Sequence, residues 1–431
     1  MPEGSMSAPV SRRVFLRDGA LALLTLGGLP PAFLPRWLAA QPRTGTRRTL
    51  VFVFLRGAVD GLNVAVPFGE SAYYRARRSI AIAPPGRPDG ALDLDGFFGL
   101  HPALAPLAPW YRGGQLAIVH AVGSPHPTRS HFEAQDYMET AAPGVHLREG
   151  WLNRLLQQTS RGRSLADGAA HAADHRWGQW GLALRGVACG STLPLALRGP
   201  HPTLVLDPAD RGPAVDDAAL RLYRTDAGDL LARAAAEARD AARLLASLER
   251  QAPPTRAGVT YPPTPFGQAL RQLARLLKAD APVEVACVDL GGWDTHVAQG
   301  AAEGALARRL QELAGGLDAF ARDLDDRLAD VLVLTASEFG RTVAENGSGG
   351  TDHGHGNVML LLGGSVLGGR VHGRWPGLER EQLHEGRDLA VTTDFRDVFA
   401  EAALRHLGAQ APERLFPGYA IDPRRFLGVV G

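Results

Sequence analysis

The sequence predicts an α/β protein built on a doubly wound, mostly parallel sheet. Short apolar runs alternate along the chain with segments whose apolar residues repeat every three or four positions. An uninterrupted apolar run is typical of a strand buried on both faces of a parallel sheet, whereas the longer spacing is typical of an amphipathic helix. Their alternation therefore favours parallel strands connected by helices.

Five apolar runs are predicted to be strands of this sheet. They cover residues 50–55, 116–122, 283–288, 331–335 and 358–362. Leucines and a phenylalanine at steps of three and four predict a helix over 306–328 with one apolar stripe. Residues 394–407 predict a final helix, capped by Thr393 or Asp394.

The middle of the chain, residues 150–264, has a different composition. A polar stretch containing glycine and histidine precedes an Ala/Arg-rich run over 230–250, which predicts an exposed helix. Paired prolines at 253–254 and 262–263 mark the return to the core pattern. We interpret residues 150–264 as an insertion or cap within one domain that spans 41–431.

Residues 1–40 predict an export signal rather than part of the fold. Paired arginines at 12–13 precede an apolar run at 19–26, which is too short to span a bilayer of ~30 Å. Small residues at 38–40 offer a cleavage site. The segment resembles a twin-arginine (Tat) signal, which implies passage through the Tat translocase and a periplasmic or extracellular location.

Composition argues against several classes of function. A net charge of +1 gives no reason to expect nucleic acid or an anionic membrane as partner, and no second apolar run of membrane-spanning length follows the signal. Two cysteines, Cys189 and Cys287, are too few for a disulfide framework or a cysteine-based zinc site. Whether they are bonded stays open, although the apolar run around Cys287 favours a small buried residue.

Five polar clusters are the candidates for a functional site, and four of them directly follow predicted strands. In a doubly wound sheet, ligands bind at the carboxyl ends of the strands. The clusters cover residues 56–63, 124–133, 289–296, 337–342 and 351–356.

The side chains of these clusters are the kinds that bind divalent ions. Each residue alone is more often a turn residue, a helix cap or a packed core histidine than a metal ligand. Several carboxylates and imidazoles from separate segments together favour a metal centre. We predict one or two ions, Zn²⁺, Mn²⁺ or Mg²⁺. The candidate ligands are Asp60, Asp294, His296, Glu338, Asp352, His353 and His355.

The motifs resemble those of the DUF1501 proteins, an exported bacterial family of unknown function, and more distantly those of the alkaline phosphatase superfamily. The resemblance covers residues 49–417 and implies an alkaline-phosphatase-like core formed by 45–145 and 265–431. The shared motifs are Phe-Leu-Arg-Gly-x-x-Asp-Gly-Leu-Asn at 54–63, Arg-Ser-His-Phe-x-Ala-Gln-Asp at 129–136, Gly-Gly-Trp-Asp-Thr-His at 291–296, Ser-Glu-Phe-Gly-Arg-Thr at 337–342 and Gly-Thr-Asp-His-Gly at 350–354.

The resemblance implies a similar ligand set with two departures. One residue separates Asp294 from His296, fewer than is usual in the superfamily. Glu338 matches an aspartate that the superfamily follows with histidine, whereas Phe339 stands at that position here. Asp352 and His355 are candidate substitutes for the missing imidazole. A one-metal site is therefore an alternative to a two-metal site.

The resemblance also implies a hydroxyl nucleophile at the start of the helix after the second core strand. Thr128 and Ser130 lie there, and Pro127 can set the helix start. Helix capping is the alternative role for both hydroxyls. Arg129 would pair with a phosphate or sulfate, and His131 would orient the leaving group or simply pack.

Together these features predict an exported metal-dependent hydrolase or transferase acting on small-molecule or glycan esters. Phosphate esters are favoured over sulfate esters, because neither cysteine begins the Cys-x-Pro-x-Arg run that a formylglycine-type sulfatase needs. The alternative is a non-catalytic exported binding protein that keeps the fold and uses the cleft for a glycan or an envelope partner.

Overall fold

The structure is a computed structural model and describes residues 20–23, 47–161, 183–207, 252–410 and 412–431. Its strands are β1 (Ala20–Leu23), β2 (Thr49–Arg56), β3 (Ala65–Val66), β4 (Leu92–Asp93), β5 (Gly99–Leu100), β6 (Leu116–Gly123), β7 (Gly186–Cys189), β8 (Thr203–Leu206), β9 (Val285–Gly291), β10 (Val331–Ala336), β11 (Asn357–Gly363), β12 (Val371–His372) and β13 (Thr393–Asp394).

Helices connect these strands. The α-helices are α1 (Gly61–Val64), α2 (Ser71–Ala76), α3 (Ala108–Arg112), α4 (His131–Thr140), α5 (Trp151–Arg161), α6 (Pro265–Lys278), α7 (Ala305–Leu324) and α8 (Phe395–Glu401). Short 3₁₀ helices cover Pro102–Leu107, Ala183–Arg185, Leu195–Leu197, Asp325–Asp330, Arg380–Gln382, Pro412–Arg414 and Pro423–Arg425.

A ten-stranded sheet forms the centre of the molecule and confirms the predicted fold class. Its order is β1-β8-β7-β9-β2-β10-β11-β6-β12, and β13 also pairs with β6. Neighbours from β1 through to β10 are parallel, whereas β11 runs antiparallel to β10 and β6. A small antiparallel sheet, β3-β5-β4, lies apart from it.

The five predicted strands correspond to β2, β6, β9, β10 and β11. The predicted helix over 306–328 is α7, which continues as the 3₁₀ helix Asp325–Asp330. The predicted final helix is α8, capped by the Asp394 side chain and extended by a π-helix over Ala402–His406.

Helices cover both faces of the sheet, as a doubly wound fold requires. Alternate side chains of β2 point to opposite faces, because successive residues of a strand do so. One set packs with α6 and α7, and the other packs with α5 and α8. In the described ranges, none of the helices has both the length and the apolar character needed to span a membrane.

The described part of the middle segment differs from the predicted cap. Strands β7 and β8 extend the central sheet beyond β9, and α5 packs Trp151 and Leu155 into the core on one sheet face. Each of these strands has four residues, too few for a clear periodic signal in the sequence. The Ala/Arg-rich run over 230–250 lies outside the described residues.

Two further sequence expectations concern the ends of the sheet and its cysteines. Strand β1 falls within the predicted signal and pairs with β8 at the sheet edge, while the rest of the predicted signal lies outside the described residues. Cys189 and Cys287 are both free and buried. Burial raises the pKa of the Cys189 thiol to about 12, so this thiol is neutral at ordinary pH.

Candidate metal centre

The candidate site lies at the carboxyl edge of the central sheet. The loops after β2, β9 and β10 end at this edge, and α4 begins there after β6. Because β11 is antiparallel to its neighbours, the segment before β11 also reaches the same edge. The sheet therefore brings five separate parts of the chain together.

Four side chains meet at this edge, and we call His131, Asp294, His296 and His353 the His/Asp cluster. The Nε2 atom of His353 lies 3.0 Å from Nε2 of His131 and 2.9 Å from Nε2 of His296. Asp294 Oδ1 lies 3.0 Å from Nε2 of His296, 3.5 Å from that of His353 and 3.6 Å from that of His131.

Hydrogen bonds to the opposite ring nitrogen define the tautomer of each histidine. Nδ1 of His131 faces Glu338 Oε1 at 2.8 Å, and Nδ1 of His296 faces Asp352 Oδ1 at 3.0 Å. Nδ1 of His353 faces the Arg129 carbonyl at 2.9 Å. Carboxylate and carbonyl oxygens only accept hydrogen bonds, so each Nδ1 carries the proton. In the neutral rings, all three Nε2 atoms therefore present lone pairs.

This arrangement fits a divalent cation. Three nitrogen lone pairs and one carboxylate oxygen would repel one another without a positive charge between them. Tetrahedral zinc with bonds of about 2.0–2.1 Å places its ligand atoms about 3.3 Å apart. His131, Asp294 and His353 match this spacing, with ligand-atom separations of 3.0, 3.5 and 3.6 Å. His296 lies close to Asp294 and His353, but it is outside the group whose ligand atoms are all within 4.8 Å of one another. Imidazole-rich sites suit zinc and related transition metals better than magnesium.

Glu338 lies directly behind His131. Its buried carboxylate accepts hydrogen bonds from the Gly57 amide (2.8 Å), the Gln135 side chain (2.9 Å) and the Ser337 hydroxyl (3.0 Å). Burial alone would raise the pKa of Glu338, but the hydrogen bonds from His131 and Gln135 outweigh it and lower the pKa. Glu338 is therefore an anionic acceptor for His131, in a position one hydrogen bond away from the cluster.

Arg341 fixes Asp294 in place. Its buried guanidinium donates to Asp294 Oδ1 at 2.6 Å. Burial disfavours the ionised Asp294 carboxylate, but the hydrogen bond and charge of Arg341 outweigh this effect and lower the pKa of Asp294. The same guanidinium also donates to the backbone carbonyls of Gly57, Ala58, Trp293 and Thr351.

Two motif glycines permit the close approach of these loops. Gly57 has a φ of +117°, and a Cβ atom there would lie 2.8 Å from the Asp294 amide nitrogen. A Cβ atom on Gly354 would lie 2.3 Å from the Arg341 carbonyl carbon. Larger residues would push apart the loops that carry the cluster.

The cluster is open to solvent on one side. The side chains of Asp294 and His296 are 47% and 39% exposed, while those of His131 and His353 are less accessible. Phe339 is buried and packs its ring 4.9 Å from the His131 ring and 5.1 Å from the His353 ring. The aromatic side chain thus supports the two histidines and leaves Asp294 and His296 accessible.

Two predicted ligands occupy other environments. Asp60 is completely buried, forms two hydrogen bonds with Arg77 at 2.6 and 2.9 Å, and accepts a third from Gln299 at 2.6 Å. His355 stacks on His384 with 4.2 Å between ring centroids, and burial lowers the pKa of His355 to about 4. The structure therefore places both outside the His/Asp cluster.

The predicted nucleophile segment is held by acidic side chains. The Thr128 hydroxyl donates to Glu133 at 2.6 Å, and the Ser130 amide donates to Thr128 Oγ1 at 3.2 Å. Arg129 forms ion pairs of 2.7 Å with both Asp388 and Glu385. The guanidinium of Arg129 is thus already paired with two carboxylates.

The structure brings three of the predicted ligands, Asp294, His296 and His353, together with His131. The sequence predicts that His131 orients a leaving group or packs, and its position at the start of a helix after a core strand is the signal that places it near the ligands. Glu338 and Asp352, also predicted as ligands, accept hydrogen bonds from His131 and His296.

The profile of the family described as "Protein of unknown function (DUF1501)" matches residues 116–415. The chain belongs to this family. The matched region contains the complete His/Asp cluster together with Glu338, Arg341 and Asp352. No curated protein matches the chain.

Several solved structures resemble this DUF1501 chain at low identity. The C-terminal periplasmic domain of EcEptC from Escherichia coli is 10% identical, with a TM-score of 0.38 over 89% of this chain and 90% of that one. The PsFucS1 sulfatase from Pseudoalteromonas sp. is 14% identical, with a TM-score of 0.39 over 89% and 72%. The phosphonate monoester hydrolase of Agrobacterium radiobacter is 10% identical, with a TM-score of 0.33 over 87% and 78%. Likenesses this distant say nothing about the activity of this chain.

Proposed function

We propose that this DUF1501 protein is an exported, metal-dependent hydrolase or transferase of phosphate esters, with sulfate esters as weaker candidates. One observation carries the proposal: three imidazole lone pairs and the Asp294 carboxylate converge at a solvent-exposed sheet edge. In doubly wound proteins this edge is where ligands bind. Export through the Tat translocase to the periplasm or cell exterior is part of the same proposal.

The four residues of the His/Asp cluster would hold the ion. When bound, a divalent ion polarises a phosphoryl oxygen and lowers the pKa of a coordinated hydroxyl or water. The surroundings suit a positive ion, because three carboxylates, those of Asp294, Glu338 and Asp352, stand at the cluster against one guanidinium, that of Arg341. Phosphate esters would approach from the open side formed by Asp294 and His296.

Thr128 and Ser130 remain the candidate nucleophiles. The hydrogen bond from Thr128 to Glu133 is the arrangement in which a carboxylate can take the proton of an attacking hydroxyl. Ser130 directly precedes His131 in the chain. Arg129, held by Asp388 and Glu385, would position this segment rather than bind the phosphoryl group alone.

One observation favours a second candidate function. The Arg129 guanidinium is already paired with the carboxylates of Asp388 and Glu385, so it is not offered to a substrate in this arrangement. A non-catalytic, metal-containing binding protein for a glycan or an envelope partner would have the same features.

Metal content and turnover test the proposal together. We expect about one equivalent of metal in protein purified without chelator, and loss of that metal in the Asp294→Ala, His296→Ala double variant. His146→Ala, which changes an exposed histidine in the loop after α4, is the matched control. Metal that is substoichiometric, and equally so in the double variant, would contradict the metal centre.

Turnover is measured on aryl phosphate monoesters, aryl phosphate diesters and aryl sulfates with added Zn²⁺, Mn²⁺ or Mg²⁺. We expect hydrolysis of a phosphate ester that depends on the intact cluster and falls in the Thr128→Ala, Ser130→Ala double variant. Undiminished turnover in that variant would refute both nucleophiles. A stoichiometric metal without turnover on any ester would instead support the binding protein.

A further inference from the structure

Two exposed apolar side chains directly follow histidines of the His/Asp cluster. Phe132 comes after His131 and is 87% exposed, and Val297 comes after His296 and is 66% exposed. Burying an apolar side chain of this size is favourable. Folding leaves the side chains of Phe132 and Val297 in solvent, so a bound molecule that covers them would gain the free energy of their burial.

Phe132 and Val297 belong to two segments that meet at a single atom. The Nε2 atoms of His131 and His296 lie 3.0 and 2.9 Å from the same Nε2 atom of His353. Each apolar residue is the next residue along the chain, and adjacent Cα atoms are about 3.8 Å apart. The backbone of each apolar residue therefore lies within one residue of a cluster histidine, on two different segments.

Helix geometry explains why Phe132 is not buried in the core. His131 and Gln135 lie one turn apart on the same face of α4, and both reach Glu338. Ala134 and Met138 form the buried face of α4. Phe132 lies on neither face, so the packing of α4 leaves its ring in solvent.

We propose that Phe132 and Val297 form an apolar rim that binds the hydrocarbon part of the substrate. The inference rests on the proposed function and names its substrate class: phosphate esters whose alcohol carries an aliphatic or aromatic group. The cluster binds the phosphoryl end, and the hydrocarbon group covers the two apolar side chains. The exposed carboxylates of Asp352 and Glu133 disfavour a strongly anionic alcohol part at the same place.

Binding of two phosphonates to the zinc-loaded full chain tests the rim without requiring turnover. Methylphosphonate and hexylphosphonate present the same head group, and isothermal titration calorimetry gives the affinity of each. We expect hexylphosphonate to bind at least about tenfold more tightly, which the burial of roughly two methylene groups supplies. In the Phe132→Ser, Val297→Ser double variant, we expect the ratio of the two affinities to fall below about twofold.

Leu367→Ser is the matched control. Leu367 is also an exposed apolar residue, at 51%, but it follows the end of the antiparallel strand β11 and so lies at the opposite edge of the sheet. This variant should keep the preference for hexylphosphonate.

The other outcomes distinguish failure of the apolar rim from failure of the proposed function. Equal affinity for the two phosphonates in the unaltered protein would overturn the rim and leave the phosphoester function standing. A preference that persists in the double variant, or that Leu367→Ser also removes, would overturn the rim as well. Failure to bind either phosphonate at a fully metal-loaded centre would overturn the proposed phosphoester function, and the rim with it.

Discussion

Each histidine of the His/Asp cluster is oriented by a hydrogen-bond acceptor on its far side. Glu338 orients His131, Asp352 orients His296, and the Arg129 carbonyl orients His353. Such partners keep the metal-facing nitrogen deprotonated and increase its basicity. In the proposed metal centre, the two carboxylates would therefore affect metal affinity without touching the metal.

Neutralising these carboxylates should weaken metal binding. We expect Asp352→Asn and Glu338→Gln each to lower zinc affinity by about 10–100-fold, because both amides lose the negative charge that favours the Nδ1–H tautomer. Competition with a chromogenic chelator gives the affinities. Asp326→Asn, an exposed carboxylate before β10 at the opposite sheet edge, should leave them unchanged. Affinities equal to that of the unaltered protein in both cluster variants would argue against the orienting role.

At the scale of the elements, a buried ion pair joins α1 to α2. Asp60 precedes α1 and Arg77 follows α2, and both side chains are almost completely inaccessible. Arg77 also donates to the backbone carbonyls of Thr342 and Val343, so the pair ties both helices to the loop after β10. Asp60 thus has a structural role, although its position after a core strand is one where ligand-binding residues are expected.

Removing Arg77 should destabilise the fold without emptying the metal centre. Arg77→Met leaves the buried Asp60 carboxylate unpaired, and we expect a loss of about 3–5 kcal/mol in unfolding free energy. Urea denaturation measures this loss, and elemental analysis of the folded fraction should show unchanged metal.

The Asp60→Asn, Arg77→Met double variant separates the two possible roles of Asp60. We expect it to be more stable than Arg77→Met alone, because no unpaired charge remains buried. If Asp60 were a metal ligand, the double variant would lose its metal.

On the scale of the whole molecule, burial keeps several histidines neutral. Burial lowers the pKa of His101, His120, His201 and His406 to about 4 in each case. In the unfolded chain these groups return to an ordinary pKa of about 6.5. Between these two values the unfolded state binds protons that the folded state does not bind.

These histidines should therefore leave the free energy of unfolding undiminished above about pH 6.5 and lower it as the pH decreases towards 4. The fully buried His120 contributes up to about 3 kcal/mol of this loss, because each unit of pKa corresponds to about 1.4 kcal/mol. Its ring contacts the Ala65 carbonyl and the Ala121 amide, which a glutamine side chain can also reach. His120→Gln should flatten the pH dependence of the urea midpoint, measured with chelator present. An unchanged slope would contradict this assignment.

The fold class, the main strands and the edge that carries the site follow from the sequence alone. The run that forms β2 is apolar from Leu50 to Leu55, and those that form β9 and β10 are mostly apolar, as expected of strands buried on both faces. Polar residues follow each of the three runs. Because the carboxyl ends of parallel strands meet at one edge, the sequence also predicts that Asp294, His296 and His353 lie together.

Only the tertiary structure decided the direction of each side chain at that edge and the direction of one strand. An apolar run has the same pattern whichever way its strand runs, so the pattern does not predict that β11 is antiparallel. Strands β7 and β8 are too short to give a periodic pattern. Asp60 turns inward because Arg77, which is distant from the strand ends, lies beneath it. His131 faces the cluster because Glu338 holds its Nδ1 atom, and that contact joins residues 207 positions apart. Local sequence specifies which groups reach the edge, whereas partners from distant segments specify which of them meet.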